Sequence, residues 1–216
     1  MKQPVPGIEQ LIREAWPELP AEATTRVNSY FEMLVAENEK QNLTRLISPK
    51  DFIEGHLLDV KAVFESGFLE FPAMDMGSGG GVPGLLAAAC RPDAWVLSES
   101  EGNKADFLSR ARTDLGLDTV RVVPGRAEEW LKKNQIMSIA ARAIGPVDRI
   151  YGWIRRCSTW NNLVLFKGPR WEEEWKEFLA TPFGNELKID RTFLYSTGEK
   201  SRILVKLVRV PRGTSQ

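Results

Sequence analysis

One imidazole, His56, is all this chain carries, and a single histidine excludes a histidine-rich metal centre. The two cysteines, Cys90 and Cys157, have no paired spacing, so neither a zinc site nor a thiol redox motif is expected. Each falls in or beside a different predicted helix, where a free thiol behaves as a small buried hydrophobe in a reducing compartment. No apolar run approaches the roughly 18 residues of a membrane span. The start, Met-Lys-Gln-Pro-Val-Pro, lacks the basic-then-apolar order of an export signal, so a cytoplasmic chain with no membrane partner is expected. Net charge is also missing: 29 Lys and Arg balance 29 Asp and Glu, which argues against strong nonspecific binding to a polyanion. The balance is uneven along the chain, with an acidic excess over residues 1–70 and a basic one over 141–216. A polyanion would be steered to the basic end.

What is present is apolar content of 43% in 216 residues, enough for one substantial core and too short for two α/β domains. The stretch that organises the rest is Ala73-Met-Asp-Met-Gly-Ser-Gly-Gly-Gly-Val-Pro-Gly84. A short apolar run, four glycines and then Leu85, Leu86 and alanines read as strand, tight turn and helix, with Pro83 in the first helical turn. Gly79, Gly81 and Gly84 satisfy a dinucleotide-type GxGxxG, a weak signal alone. The next strand ends in Glu99, about 20 residues on, where a carboxylate grips ribose hydroxyls. Two phosphates would meet Asp75 at the turn and then Glu99, Glu101, Glu128 and Glu129, whereas S-adenosylmethionine is cationic and carries no phosphate. The acids favour it over NAD, and a purely structural glycine turn is the remaining reading.

From residue 72 onward short strands and helices alternate: strands near 73–76, 94–98, 119–123, 136–141 and 163–167, with helices from 83, then 103–115, 126–133, 147–156 and 171–180. Two last runs, 187–195 and 202–210, have no helix between them and read as an antiparallel hairpin. The expected architecture is α/β, a doubly wound, mostly parallel seven-stranded sheet ending in a hairpin, an ending typical of Rossmann-like methyltransferases. Upstream, residues 1–21 read as a loosely tied arm around Ile8 to Trp16. A helix from Thr25 shows Val27, Tyr30, Phe31, Leu34 and Val35 on one face, with Glu32, Glu37 and Glu39 on the wet face. A second starts at Ser48-Pro49, with Phe52, His56, Leu57, Val60, Val63 and Phe64 as its apolar stripe. His56 on that stripe reads first as a hydrogen-bonded core group. Residues 1–70 therefore form a helical extension packed on a domain of 71–216, and the tail from Arg212 is expected to fray.

Several segments in this order resemble the bacterial small-subunit ribosomal RNA guanine-N7 methyltransferases, the glucose-inhibited division protein B family. They are Asn42-Leu-Thr, His56-Leu-Leu-Asp59, the glycine turn, Glu99-Ser-Glu-Gly-Asn-Lys104, Gly125-Arg-Ala-Glu-Glu-Trp130, Ala141-Arg-Ala143 and Phe166-Lys-Gly168. The chain departs from the pattern at Glu99, where aspartate is usual. The resemblance implies a class I methyltransferase fold, S-adenosylmethionine as cofactor and small-subunit RNA, or a subunit particle, as partner. Carried over, Gly77 and Val82 line the cofactor, Ala127 and Glu128 flank its adenine, and Arg142 closes the site. With Asp75 and Gly79 of the turn and Glu99 at the end of the next strand, these eight are the expected cofactor residues.

For the RNA, Arg142 at the end of the fourth strand, Lys167 at the end of the fifth and His56 are the expected contacts, the first donating to guanine O6 or a phosphate. No catalytic acid or base is assigned and no metal is expected, because guanine N7 is already nucleophilic and needs alignment rather than deprotonation. Of seven tryptophans most are expected in the core, though any on the surface would offer a stacking platform. A small-molecule methyltransferase, a NAD(P)-dependent oxidoreductase and a catalytically silent RNA-binding or cofactor-sensing protein are the competing classes.

Overall fold

A computed structural model describes residues 7–211. The N-terminal part holds α1 (Ile8–Ala15), α2 (Ala21–Gln41) and α3 (Pro49–Phe52), which passes through a π-helical turn at Ile53–Leu57 into α4 (Leu58–Ser66). Strands and helices then alternate as β1 (Ala73–Met76), α5 (Gly84–Cys90), β2 (Trp95–Glu99), α6 (Gly102–Asp114), β3 (Val120–Pro124) and α7 (Ala127–Leu131). After them come β4 (Ile136–Arg142), α8 (Val147–Ile154), β5 (Trp160–Lys167), α9 (Trp171–Leu179) and the hairpin of β6 (Leu187–Thr197) and β7 (Lys200–Arg209).

The strands form one sheet in the order β3-β2-β1-β4-β5-β7-β6. The first five are parallel and β7 runs antiparallel to both neighbours. All four residues of β1 are buried, as a central parallel strand covered on both faces requires. One face of the sheet shares a core with the N-terminal helices, in which Tyr30, Leu34 and Phe52 join Leu85, Leu97 and Leu108. The other face is covered by α7, α8 and α9, with Tyr151, Trp171 and Phe178 over Ile139, Leu163 and Leu165. The chain leaves β1 towards β2 and β3 and returns on the other side at β4, so strand order reverses between β1 and β4. A crevice opens beyond the carboxyl ends of the strands at such a reversal, and ligands of open α/β sheets bind there.

Several local expectations shift. The segment before α2 is not a loose arm over residues 7–20: Ile12 and Leu19 are buried, and Lys61 Nζ donates to Ala15 O at 2.9 Å. Residues 1–6 lie outside the described residues, as does the tail from Arg212. Helix α2 begins at Ala21 rather than near Thr25: Thr24 N–H donates to Pro20 O at 2.9 Å and closes the first turn, and the Thr24 and Thr25 hydroxyls bond back to Pro20 O and Ala21 O within the helix. Glu37, expected on the wet face, is buried against α6, where Arg110 Nη2 reaches it at 3.0 Å. Strand β5 starts at Trp160 instead of 163, since Trp160 and Asn162 pair with Ile136 and Ser138 of β4. Cys157 follows α8 rather than lying inside it, and both cysteines are buried thiols.

Candidate functional site

The glycine turn continues the sheet before it leaves it. Gly77 and Ser78 N–H both donate to Ser98 O, at 2.9 and 3.1 Å, while Ser78 Oγ donates to Asp75 O at 3.0 Å. Gly77 turns with φ +70°, a left-handed conformation that a side chain disfavours, and a Cβ there would also come within 2.8 Å of Ile144. Helix α5 then starts at Gly84, whose N–H donates to Asp75 Oδ2 at 2.8 Å. A Cβ on Gly84 would sit 2.5 Å from Leu97 Cδ2 and 2.7 Å from Asp75 Cβ, so only glycine lets the helix lie this close to β1 and β2. That is the packing role of the third glycine in the pattern.

A cavity of about 320 Å³ opens at the reversal point. Gly77 and Gly79 of the turn, Glu99 at the end of β2, and Ala127 and Glu128 at the start of α7 surround it, with Ile144 and Trp153 on the far wall. Trp153 is 37% exposed, unlike Trp95, Trp160 and Trp171, which are core. Glu99 is almost wholly buried. Its Oε2 accepts from Gly79 N–H and its Oε1 from Glu101 N–H, each at 2.8 Å. Each carboxylate oxygen has a second lone pair, so the group that shapes the turn still accepts from a ligand hydroxyl. A larger groove of about 970 Å³, between the end of α8 and the end of β7, contains no residue of the glycine turn.

Three expected cofactor residues do not line the cavity. Asp75 is fully buried as the pin for α5, and burial pushes its carboxyl up to about 7 against the opposing Gly84 N–H. Val82 packs on the apolar core. Arg142 is engaged on the N-terminal side, where Nε meets Asp59 Oδ2 at 2.9 Å, Nη1 meets His56 Nδ1 at 3.0 Å and Nη2 donates to Gly55 O at 2.5 Å.

His56 is buried. Burial first and the Arg142 charge second push its imidazole down to about 3, so it is neutral at neutral pH. Nδ1 lies 3.0 Å from Arg142 Nη1 and 2.9 Å from Gly55 O; because Arg142 can only donate and its Nη2 already donates to that carbonyl, we assign Nδ1 as acceptor from Arg142, which leaves Nε2–H to donate to Thr44 Oγ1 at 3.1 Å. Lys167 is also inward: Nζ donates to Gly145 O at 3.0 Å and to Glu174 Oε1 at 2.6 Å, and Glu174 Oε1 accepts from Val147 N–H at 2.7 Å. This pair braces the 143–147 loop, in which Ala143 holds φ +58°. A left-handed alanine costs energy and such strain clusters at sites. The structure thus brings Arg142 and His56 together and keeps Lys167 apart from them.

Two groups central to this geometry were placed by the sequence, one on an apolar helix face and one in a motif segment, without a role. Tyr30 of α2 is fully buried and its hydroxyl donates to Gly80 O at 2.7 Å, tying the N-terminal helix to the glycine turn. Asp59 has no exposed surface and holds Arg142, Arg202 and Tyr195. The signal for both was present as a polar residue on an otherwise apolar helical stripe.

Comparison with known proteins agrees with this frame. Residues 23–203 match the family described as rRNA small subunit methyltransferase G. A ribosomal RNA small subunit methyltransferase G of Methylobacillus flagellatus is 33% identical over 172 residues, 77% of this chain and 82% of that protein. Its namesake in Solibacter usitatus is 36% identical over 148 residues, 67% of this chain and 70% of that protein. Among solved structures, MtNAS in complex with MTA and tNA superposes with a TM-score of 0.57 at 15% identity, covering 94% of this chain and 86% of its own. The human methyltransferase 10 domain containing protein does so with 0.57 at 13% identity, covering 84% and 96%. At such identities the likeness concerns the fold, a Rossmann-like one shared with methyltransferases. With the match running from the second helix into the last strand, the chain belongs to the rRNA small subunit methyltransferase G family.

Proposed function

We propose that this protein transfers a methyl group from S-adenosylmethionine to N7 of a guanine in small-subunit ribosomal RNA, naked or within a subunit particle, in the cytoplasm. In this reading residues 71–216 are the methyltransferase domain and 1–70 an extension packed on it. The observation that carries the cofactor is Glu99, a buried carboxylate held by Gly79 and Glu101 N–H with lone pairs free towards the cavity. It fits two ribose hydroxyls. The open space in front of Gly79, where a Cβ would meet nothing, leaves backbone accessible to a ligand. Ala127 N–H and Glu128 stand where an adenine edge would find a donor and an acceptor, and Trp153 and Ile144 supply an apolar wall.

Lys104 pairs with Glu101 at 2.7 Å and Arg126 stands 3.7 Å from Glu128, so Glu99 is the acid of the lining left without a cation, and that excess suits a sulfonium better than a pyrophosphate. When bound, S-adenosylmethionine supplies the electrophilic methyl. The chain's residues then need only hold N7 in line with it and keep water out, contributions of roughly 7–11 kcal/mol for ideal alignment. Arg142 and the fixed 143–147 loop border the side from which the base enters, with neutral His56 buried behind Arg142, and no residue has to remove a proton. Lys167, braced inward by Glu174, supports that loop in this reading.

The deciding experiment maps N7-methylguanine in small-subunit RNA from cells with and without the protein. Loss of one methylated guanine in the deletion strain is expected, and an unchanged map overturns the proposal. A calorimetric titration with S-adenosylmethionine and with NADH tests the cofactor separately; binding of NADH alone would return the site to the oxidoreductases.

A further inference from the structure

Arg142 is held in an unusually complete frame for a residue at a strand end. Its guanidinium has five N–H groups, and three are committed: Nε–H to Asp59 Oδ2, one Nη1–H to His56 Nδ1 and one Nη2–H to Gly55 O. The partners belong to the π-helical turn and to α4. The plane of the guanidinium is thereby set, two N–H groups remain, and the side chain keeps 13% exposure.

Asp59 in turn is gripped from a third element, the β6–β7 hairpin. Tyr195 OH donates to its Oδ1 at 2.7 Å and Arg202 Nη1 to its Oδ2 at 2.8 Å. A buried carboxylate that served only to pin the hairpin would be satisfied by Arg202 and Tyr195. Instead its Oδ2 is shared by two guanidinium groups beside a neutral imidazole. Of the two, Arg142 stands at the carboxyl end of β4, beside the reversal point of the sheet. Its spare N–H groups are suited to an acceptor oxygen that arrives with the substrate.

We propose that Asp59 is a positioning residue: by fixing Nε and the plane of Arg142 it aims the two remaining N–H groups at the oxygen of the target base adjacent to the methylated nitrogen. The inference rests on the proposed RNA methylation. The π-helical turn contributes to the same frame, because the extra residue in that turn places Gly55 O and His56 Nδ1 side by side for the two Nη groups.

The test uses the full chain and unmethylated small-subunit RNA or subunit particles. Asp59→Asn removes the charge that two guanidinium groups share and leaves one acceptor oxygen in place of two; a roughly tenfold to hundredfold loss in kcat/KM for RNA is expected from loosening Arg142, with cofactor affinity changed less than about twofold. Glu37→Gln, which breaks a part-buried ion pair elsewhere, is the control for general destabilisation and leaves kcat/KM near wild type. In an Arg142→Lys background the further loss on adding Asp59→Asn falls below about threefold, the non-additivity of groups acting through one another. The 15N-detected Nε–H signal of Arg142, protected from exchange in the wild type, becomes exchange-broadened in Asp59→Asn.

Wild-type kcat/KM in Asp59→Asn, or full additivity with Arg142→Lys, overturns the proposal. Should Asp59→Asn not fold, Asp59→Glu keeps the charge and displaces the carboxylate by one methylene; full activity in that variant overturns it equally. A wild-type protein that binds cofactor but leaves the RNA unmethylated refutes the RNA reading instead. The Arg142 signal still reports whether Asp59 fixes the guanidinium.

Discussion

Two glycines of the same pattern, Gly79 and Gly84, should fail in different ways when replaced by alanine. At Gly84 the new methyl would lie 2.5 Å from Leu97 Cδ2, 2.7 Å from Asp75 Cβ and 2.9 Å from Asp75 Oδ2. These are interior neighbours on two central strands, and overpacking of this kind costs about 1–3 kcal/mol. Alanine recovers up to about 1 kcal/mol of helix propensity, less at a first helical position. A net loss of about 2 kcal/mol is expected, and with it a fall in Tm of about 4–8 °C for a chain of this size. Gly79 has φ +54° with nothing in front of it. Gly79→Ala therefore costs about 1 kcal/mol of backbone strain, but its methyl projects into the space a cofactor would use. Differential scanning calorimetry and calorimetric titration with S-adenosylmethionine on both variants separate the effects: Gly84→Ala melts lower and Gly79→Ala binds more weakly. Equal melting of Gly84→Ala and wild type would show that α5 can move off the sheet and that the third glycine is not a packing requirement.

Glu99→Gln replaces one carboxylate oxygen with an amide that cannot accept from Gly79 or Glu101, and charged hydrogen bonds of this kind are worth about 1.5–3 kcal/mol. A roughly tenfold to hundredfold weaker Kd for S-adenosylmethionine is expected by titration, and an unchanged Kd would remove Glu99 from the ribose site. Stability against pH carries two opposed contributions. His56, at about 3 in the fold against 6.5 unfolded, makes stability fall as pH drops below 6.5; Asp75, at about 7 against 3.8, makes it fall as pH rises from 3.8 to 7. Between pH 4 and 6.5 they offset one another, so Asp75→Asn should expose the His56 slope of about 1 kcal/mol per pH unit in urea unfolding at pH 5, 6 and 7. A variant no steeper than wild type would show that His56 is not held neutral. Ala143→Gly relieves the left-handed strain and should raise stability by about 1 kcal/mol in the same assay while lowering kcat through a looser loop; a fall in stability would mean that the alanine methyl packs usefully.

The alternation that identified the sheet was legible because parallel strands buried on both faces read as largely apolar runs, as β1, β2 and β4 do, and these with the edge strand β3 fall within about two residues of where those runs lie. The glycine turn, Glu99 and the start of α7 were legible for a related reason: they sit at strand ends, where spacing alone carries each residue to the same edge. Less could be read where local propensity and tertiary pairing disagreed. Asn162 is a poor strand former that β5 accepts because β4 pairs with it. Glu37 looked solvated because its partner, Arg110, lies 73 residues away.

By itself the sequence determined the order of strands and helices, the hairpin ending, the turn that needs glycine and the carboxylate that ends the second strand. Each of these depends on residues close together in the chain. Only the tertiary structure decided what Arg142, Lys167 and His56 do. It turned Lys167 onto Glu174, buried His56 as a neutral acceptor, and set Arg142 against Asp59, whose other partners, Tyr195 and Arg202, come from a hairpin 136 and 143 residues further on. Such a cluster follows from where the hairpin tip meets α4, and no periodicity or local spacing encodes that meeting.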